Sequence, residues 1–182
     1  MNKRFLFNWS VWIGLVTGIY TALYLLSPLA QYGVVYATFI ALPIYFIAGA
    51  KKEEYFNFTV SNATGVAWGW AYITAITGFT EVGMNNIMAN ALACGLITII
   101  CCSFHFIITP NTLFNKLPAM FGGIAAAFST GATQIVPLMI TLVLGSTLAL
   151  ICNMGTKLLA DDGSWKFLNK PEKWQEADKI IE

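Results

Sequence analysis

The basic residues of this chain occupy every second gap between long apolar stretches, and few folds allow that pattern. Lys3 and Arg4 precede the first stretch, Lys51 and Lys52 sit in the second gap, and Lys116 sits in the fourth. Lys157, Lys166, Lys170, Lys173 and Lys179 stand at and beyond the last stretch, and the first, third and fifth gaps hold no Lys or Arg. Positive charge crosses an energised membrane poorly, so Lys and Arg collect in cytoplasmic loops. The pattern predicts an all-α membrane protein with six transmembrane helices and with both the N-terminus and the C-terminus in the cytoplasm.

Only 10% of the residues are charged and 57% are hydrophobic, against about 25% charged in a soluble domain. The 182 residues leave room for six spans of about 20 residues each and a short tail. Residues 1–160 are expected to form the six-helix transmembrane domain and 161–182 a cytoplasmic amphipathic tail. In that tail Trp165, Phe167 and Leu168 precede Pro171, and Trp174, Ala177 and Ile181 recur at helical spacing among charges. A net charge of +1 gives no reason to expect a nucleic-acid partner. The first apolar stretch has full span length and no small-residue cleavage site, so no cleaved signal is expected. Cys94, Cys101, Cys102 and Cys152 lie in predicted spans and read as small packing residues; no metal or cofactor is expected.

The spans read as Phe7–Leu26, Tyr32–Ala50, Phe58–Phe79, Met84–Ile108, Pro118–Gly131 and Gln134–Leu159. Span five is short for a bilayer and nearly all small residues, which places it against protein or a cavity. Phe-Asn occurs at Phe7-Asn8, Phe56-Asn57 and Phe114-Asn115, each time at the start of an odd-numbered span. Asn at a helix start reads as an N-cap. The same recurrence suggests three helical-hairpin repeats, spans 1–2, 3–4 and 5–6. Three hairpins suit a static conduit better than the paired halves of an alternating-access carrier.

Apart from Lys157 at the very end of span six, no Asp, Glu, Lys or Arg lies inside a predicted span, which argues against ion-coupled relays and charged channel rings. The lone His105 reads as a packed or interfacial residue, with a pH-sensitive gate as the alternative. There is no nucleophile–base pair for an enzyme. The spans do carry uncharged polar groups: Thr59 and Asn62 on one face of span three, Asn86 and Asn90 on span four, and Gln134 opening span six. Trp68 and Trp70 lie mid-span, beyond the aromatic belt where Trp9 and Trp12 are expected. The candidate pore-lining set is therefore Thr59, Asn62, Trp68, Trp70, Asn86, Asn90, Gly122, Gly123 and Gln134. Span five is expected to face span three across a path that the Trp rings narrow. This predicts a passive membrane channel or facilitator for a small neutral or weakly polar solute. The alternative is a non-transporting assembly or sensor protein whose tail binds a partner. A homo-oligomer is expected, since a small six-helix unit exposes many helix faces to lipid.

With its short loops, Gly65-Val-Ala-Trp-Gly-Trp70 and Gly122-Gly-Ile-Ala-Ala-Ala127, the chain resembles the YcdZ-like family over about residues 5–160. The resemblance implies a small, multi-pass bacterial inner-membrane protein and carries over no site residues, because that family is of unknown function. At the level of fold the chain is similar to the six-helix bacterial urea and amide channels, which are built from three hairpins.

Overall fold

The computed structural model describes residues 2–168. Six α-helices carry it: α1 (Lys3–Leu26), α2 (Thr38–Ile47), α3 (Tyr55–Glu81), α4 (Asn86–Ser103), α5 (Leu117–Ser129) and α6 (Ile135–Met154). A π-helical turn, Phe104–Ile108, extends α4, and a 3-10 turn, Gly155–Leu158, extends α6. Among the described residues there is no strand, only an isolated bridge between Leu159 and Trp165. Three helices are long and apolar enough to cross a membrane: α1, α4 with its π turn, and α6 with its 3-10 turn. The segments Val35–Ile47 and Leu117–Ser129 are shorter apolar helices.

The second predicted span is not one helix. Pro28 starts a 3-10 turn that ends at the left-handed Gly33, a second 3-10 turn covers Val35–Ala37, and only ten residues are α-helical. Pro43 lies within them and removes one ladder hydrogen bond. The tail helix predicted beyond Leu168 lies outside the described residues. The Phe-Asn pairs do not cap helices. Asn8 and Asn57 sit inside α1 and α3, and they donate to the carbonyls of Gly163 and Thr112. Asn2 caps α1 instead, its side chain accepting from the Arg4 N–H.

The packing is also not that of three hairpins. The most extensive contacts are α3 on α5 and α2 on α6, and neither pair is adjacent in the chain. The chain is built as two halves, α1–α2–α3 and α4–α5–α6, each running long, short, long. Their equivalence shows in the backbone. The only described non-glycine residues with left-handed φ are Ala50 and Ala132, 82 positions apart, and each follows a left-handed glycine, Gly49 or Gly131. The two turns close with the same bonds, Gly49 and Ala50 donating to Phe46 and Tyr45, Gly131 and Ala132 to Phe128 and Ala127. The breaks at Ser27-Pro28 and Thr109-Pro110 share that spacing.

The helix seams repeat the equivalence. A Cβ on Gly65 of α3 would overlap Met120 and stand 2.9 Å from Gly123 Cα, both on α5. On Gly145 of α6 it would stand 2.9 Å from Thr38 Cα and 3.1 Å from Ala41 Cβ, both on α2. Thr38 and Ala41 are the counterparts of Met120 and Gly123. Side chains are absent at both glycines because the backbones touch.

The halves are inverted with respect to each other. The turn at Gly49 and Ala50 shares a groove with Lys51, Lys52 and Lys157, beside the start of α3. Its counterpart, Gly131 and Ala132, shares one with Trp70, Thr77 and Glu81, towards the far end of α3. The described basic residues gather at the first of these ends. Arg4 pairs with Asp162, Lys116 with Glu54, and Lys166 donates to the Lys157 carbonyl.

Candidate functional site

The four inner helices, α2, α3, α5 and α6, meet around Asn62. It is fully buried, and its Nδ2 donates to Ser146 Oγ of α6 at 3.4 Å. Ser146 Oγ in turn donates to the Leu142 carbonyl at 3.2 Å. The Asn62 Oδ1 acceptor has no hydrogen-bond partner. It lies 3.5 Å from the point where a Gly122 side chain would begin, a point also 2.7 Å from Ile44 Cδ1 and 3.2 Å from Ile40 Cγ2 of α2. Ile40 and Gly122 are themselves counterparts, so the axis relating the halves passes here. Past the two turns the interval shortens to 80, as between the first residues of α3 and α6, Tyr55 and Ile135, so the counterparts of Asn62 and Ser146 are Leu142 and Val66, both buried in the neighbouring apolar cluster. The centre is thus polar on one side of the axis and apolar on the other.

The remaining candidates do not converge on it. Thr59 is buried, but its hydroxyl donates within α3, to Tyr55 and Phe56 carbonyls at 2.9 and 3.1 Å. Gly123 faces α3 directly: its Cβ would stand 2.8 Å from Val66 N and 2.9 Å from Gly65 Cα. Spans three and five are therefore in contact, and the path expected between them is closed. Trp70 is 55% exposed on the outside of α3, so it narrows no space inside the protomer. Asn90 donates to the Asn86 carbonyl and side chain at 2.8 Å each, at the exposed start of α4. Gln134 lines a surface groove with Pro28, Gln31 and Tyr32.

Trp68 has a packing role. Its Nε1–H donates to His105 Nε2 at 3.3 Å, and His105 Nδ1 meets the Phe114 carbonyl. An Nε2 that accepts leaves the proton on Nδ1, so the neutral imidazole satisfies both ring nitrogens. Trp9 and Trp12 also do more than face a membrane interface. They donate to the Cys152 and Ile151 carbonyls near the end of α6, at 3.0 Å each, and so tie the start of α1 to the end of α6. Among the described residues no cluster of His, Cys, Asp or Glu could hold a metal ion.

Ser146, read from the sequence as one of the polar groups of span six, stands with Ile40 and Ile44 outside the candidate set. The readable signal was Phe46-Ile-Ala-Gly-Ala50 recurring as Phe128-Ser-Thr-Gly-Ala132, at the same interval as the two Pro breaks. No curated protein and no solved structure matches the chain. A family model does match, over residues 10–157, and the chain belongs to that family, DUF1097, described as a protein of unknown function.

Proposed function

We propose that this protein is a passive facilitator for a small neutral solute, spanning a bacterial inner membrane six times with both ends in the cytoplasm. The observation that carries the reading is the pair of inverted halves meeting at an uncharged, buried polar centre. Inverted repeats with broken or shortened helices in corresponding positions are the architecture of alternating-access carriers, whose sites lie near the midplane between the repeats. The short α2 and α5 hold those positions. The closed seam of α3 on α5 favours alternation over a static pore.

Charge supports the orientation. Lys3-Arg4 and Lys51-Lys52 in the first half stand where the second half has Asn85-Asn86 and Thr133-Gln134. Two inverted copies can keep one orientation only if equivalent loops differ in basic charge, and these do. The absence of charged side chains around Asn62 matches an uncharged solute, since an ion would be stripped of water without a partner there.

Proteoliposomes tested with urea, short amides, glycerol and small alcohols should show saturable flux and counterflow for at least one solute. Flux no faster than in protein-free vesicles for all of them would overturn the reading. Linear flux without counterflow would replace alternation with an open channel.

A further inference from the structure

The surroundings of the buried, unpartnered Asn62 oxygen differ between the two ends of the molecule. Ile44, which packs over Gly122 beside that oxygen, also lines a surface groove of about 330 Å³ with Pro43, Ile47, Ala48, Phe58 and Pro118. The groove opens at the basic end: Lys116 Nζ, paired with Glu54, stands 5.3 Å from the centre of the Phe58 ring. At the opposite end the same two helices are tied together, because the Tyr36 hydroxyl hydrogen-bonds Ser129 Oγ. The repeat counterparts of Tyr36 and Ser129 are Pro118 and Ile47. They are two walls of the open groove, and Ile47 is 90% exposed. Equivalent residues are therefore joined at one end and parted at the other.

We propose that Asn62 Oδ1 is the solute acceptor of the facilitator, reached from the basic end past Ile44, and that the Tyr36–Ser129 contact is the closure on the far side. The structure is then the state open to the basic end. In the alternative state Tyr36 and Ser129 separate, and Ile47 closes on Pro118. This inference rests on the facilitator reading and gives it a site. The ligand class follows from the groups present. One neutral carbonyl oxygen, with a hydroxyl already engaged beside it, selects a molecule of a few heavy atoms that offers an N–H or O–H. A buried amide oxygen without a donor is costly, so filling it favours such a molecule. A cation would find no carboxylate there to offset its lost hydration.

The test is thiol accessibility at Ile44→Cys, in sealed vesicles of known orientation, with a membrane-impermeant methanethiosulfonate. Modification is counted above that of the chain carrying only its own four cysteines. The expected result is modification from the basic end only, slowed at least threefold by acetamide, urea or glycerol, with the slowing lost when Asn62→Leu is added. Adding Tyr36→Phe, which removes the far-side hydrogen bond, should shift the ratio of the two states about fivefold, the effect of one hydrogen bond, and so slow modification from the basic end by at most that factor. Equal modification from both ends, or rates that none of the three solutes alters, would overturn the site. Solute flux together with an unprotected Ile44→Cys would remove this site and leave the facilitator. Absence of both flux and protection would remove both.

Discussion

Gly65→Ala tests the seam on which the two halves depend. The new methyl would overlap the Met120 carbonyl and stand 2.8 Å from its carbon and 2.9 Å from Gly123 Cα. A carbon stands about 3.3 Å or more from an oxygen, and the Met120 oxygen would be 1.9 Å away, so α3 and α5 must part by roughly 1.4 Å along their tightest line. Overpacking costs about 1–3 kcal/mol, and the upper end applies because the obstacles are backbone atoms that no rotamer change can move. Alanine returns about 1 kcal/mol of helix propensity. The net expectation is a loss of roughly 2 kcal/mol. Gly95→Ala in α4 is the internal reference. Nothing lies within 4 Å of its Cβ position, so it should gain about 1 kcal/mol from propensity alone. The assay is thermal unfolding in detergent, followed by exposure of the buried Cys101 and Cys152 to a fluorogenic maleimide. If Gly65→Ala proves as stable as Gly95→Ala, α3 does not touch α5 through glycine and the two-half arrangement fails.

Trp68→Phe keeps the ring but leaves the His105 Nε2 acceptor unpartnered in a buried site, and should cost about 1–3 kcal/mol in the same assay. Trp70→Ala, at an exposed position, should cost under about 1 kcal/mol and leave the range of solutes that show flux in the proteoliposome assay unchanged. Asp162 lies outside the spans, where the Ser164 hydroxyl and N–H, with Arg4, hold its carboxyl below the ordinary carboxylate range. A depressed folded value means that its contribution is present above the unfolded pKa, about 3.9, and is lost as pH falls through the lower folded value. Hydrogen exchange at the start of α1, which docks on this turn through Asn2 and Asn8, should therefore quicken below about pH 4. Asp162→Asn should abolish that pH-dependent step.

Helix class and the gathering of basic charge could be read from the sequence, because both follow from local composition. Lys3, Lys51, Lys116 and Lys157 are spaced by the spans themselves, so hydropathy alone places them. The repeat could not be read from single residues such as Phe-Asn, since Phe and Asn are common and tolerated at helix starts for unrelated reasons. Left-handed backbone is a stricter signal, because a non-glycine residue rarely adopts it, yet Ala50 and Ala132 show it only in three dimensions. Within the site, Asn62 was legible because an amide in a span needs a partner. Trp70 was misjudged because mid-span position does not tell which face of a helix meets its neighbours. The short helix α5 was read as lying against protein or a cavity, since glycine and alanine at that density give lipid little to pack against, and its Gly122, Gly123, Ala126 and Ala127 are buried.

Where the halves differ, the differences follow one logic. The contact of α4 on α3 has Thr98, Cys101 and His105 facing Trp68 and Tyr72, and three hydrogen bonds fill it, Trp68 with His105 and Tyr72 with Thr98 and with Cys101 Sγ. The counterpart contact of α1 on α6 has Val16, Ile19 and Leu23 facing Leu148, and an apolar groove of about 260 Å³ remains there. Indole and imidazole on one side have become two leucines on the other, and the volume they filled is left open. Helix α1 is instead held near its ends, by Trp9 and Trp12 on the α6 carbonyls and by Tyr24 on the Thr141 hydroxyl at 2.8 Å. Tyr20, beside that groove, also hydrogen-bonds the Thr38 hydroxyl, so α1 is tied to α2 and α6 by side chains from both its ends, whereas α4 is hydrogen-bonded to α3 along its packed face. The same asymmetry appears between α2 and α5, joined at one end by Tyr36 and Ser129 and parted at the other by Ile47 and Pro118. A symmetric pair would hold both ends alike. This chain breaks the symmetry with hydrogen-bonding side chains on one side and aliphatic ones on the other, which under the proposed alternation favours one of the two states.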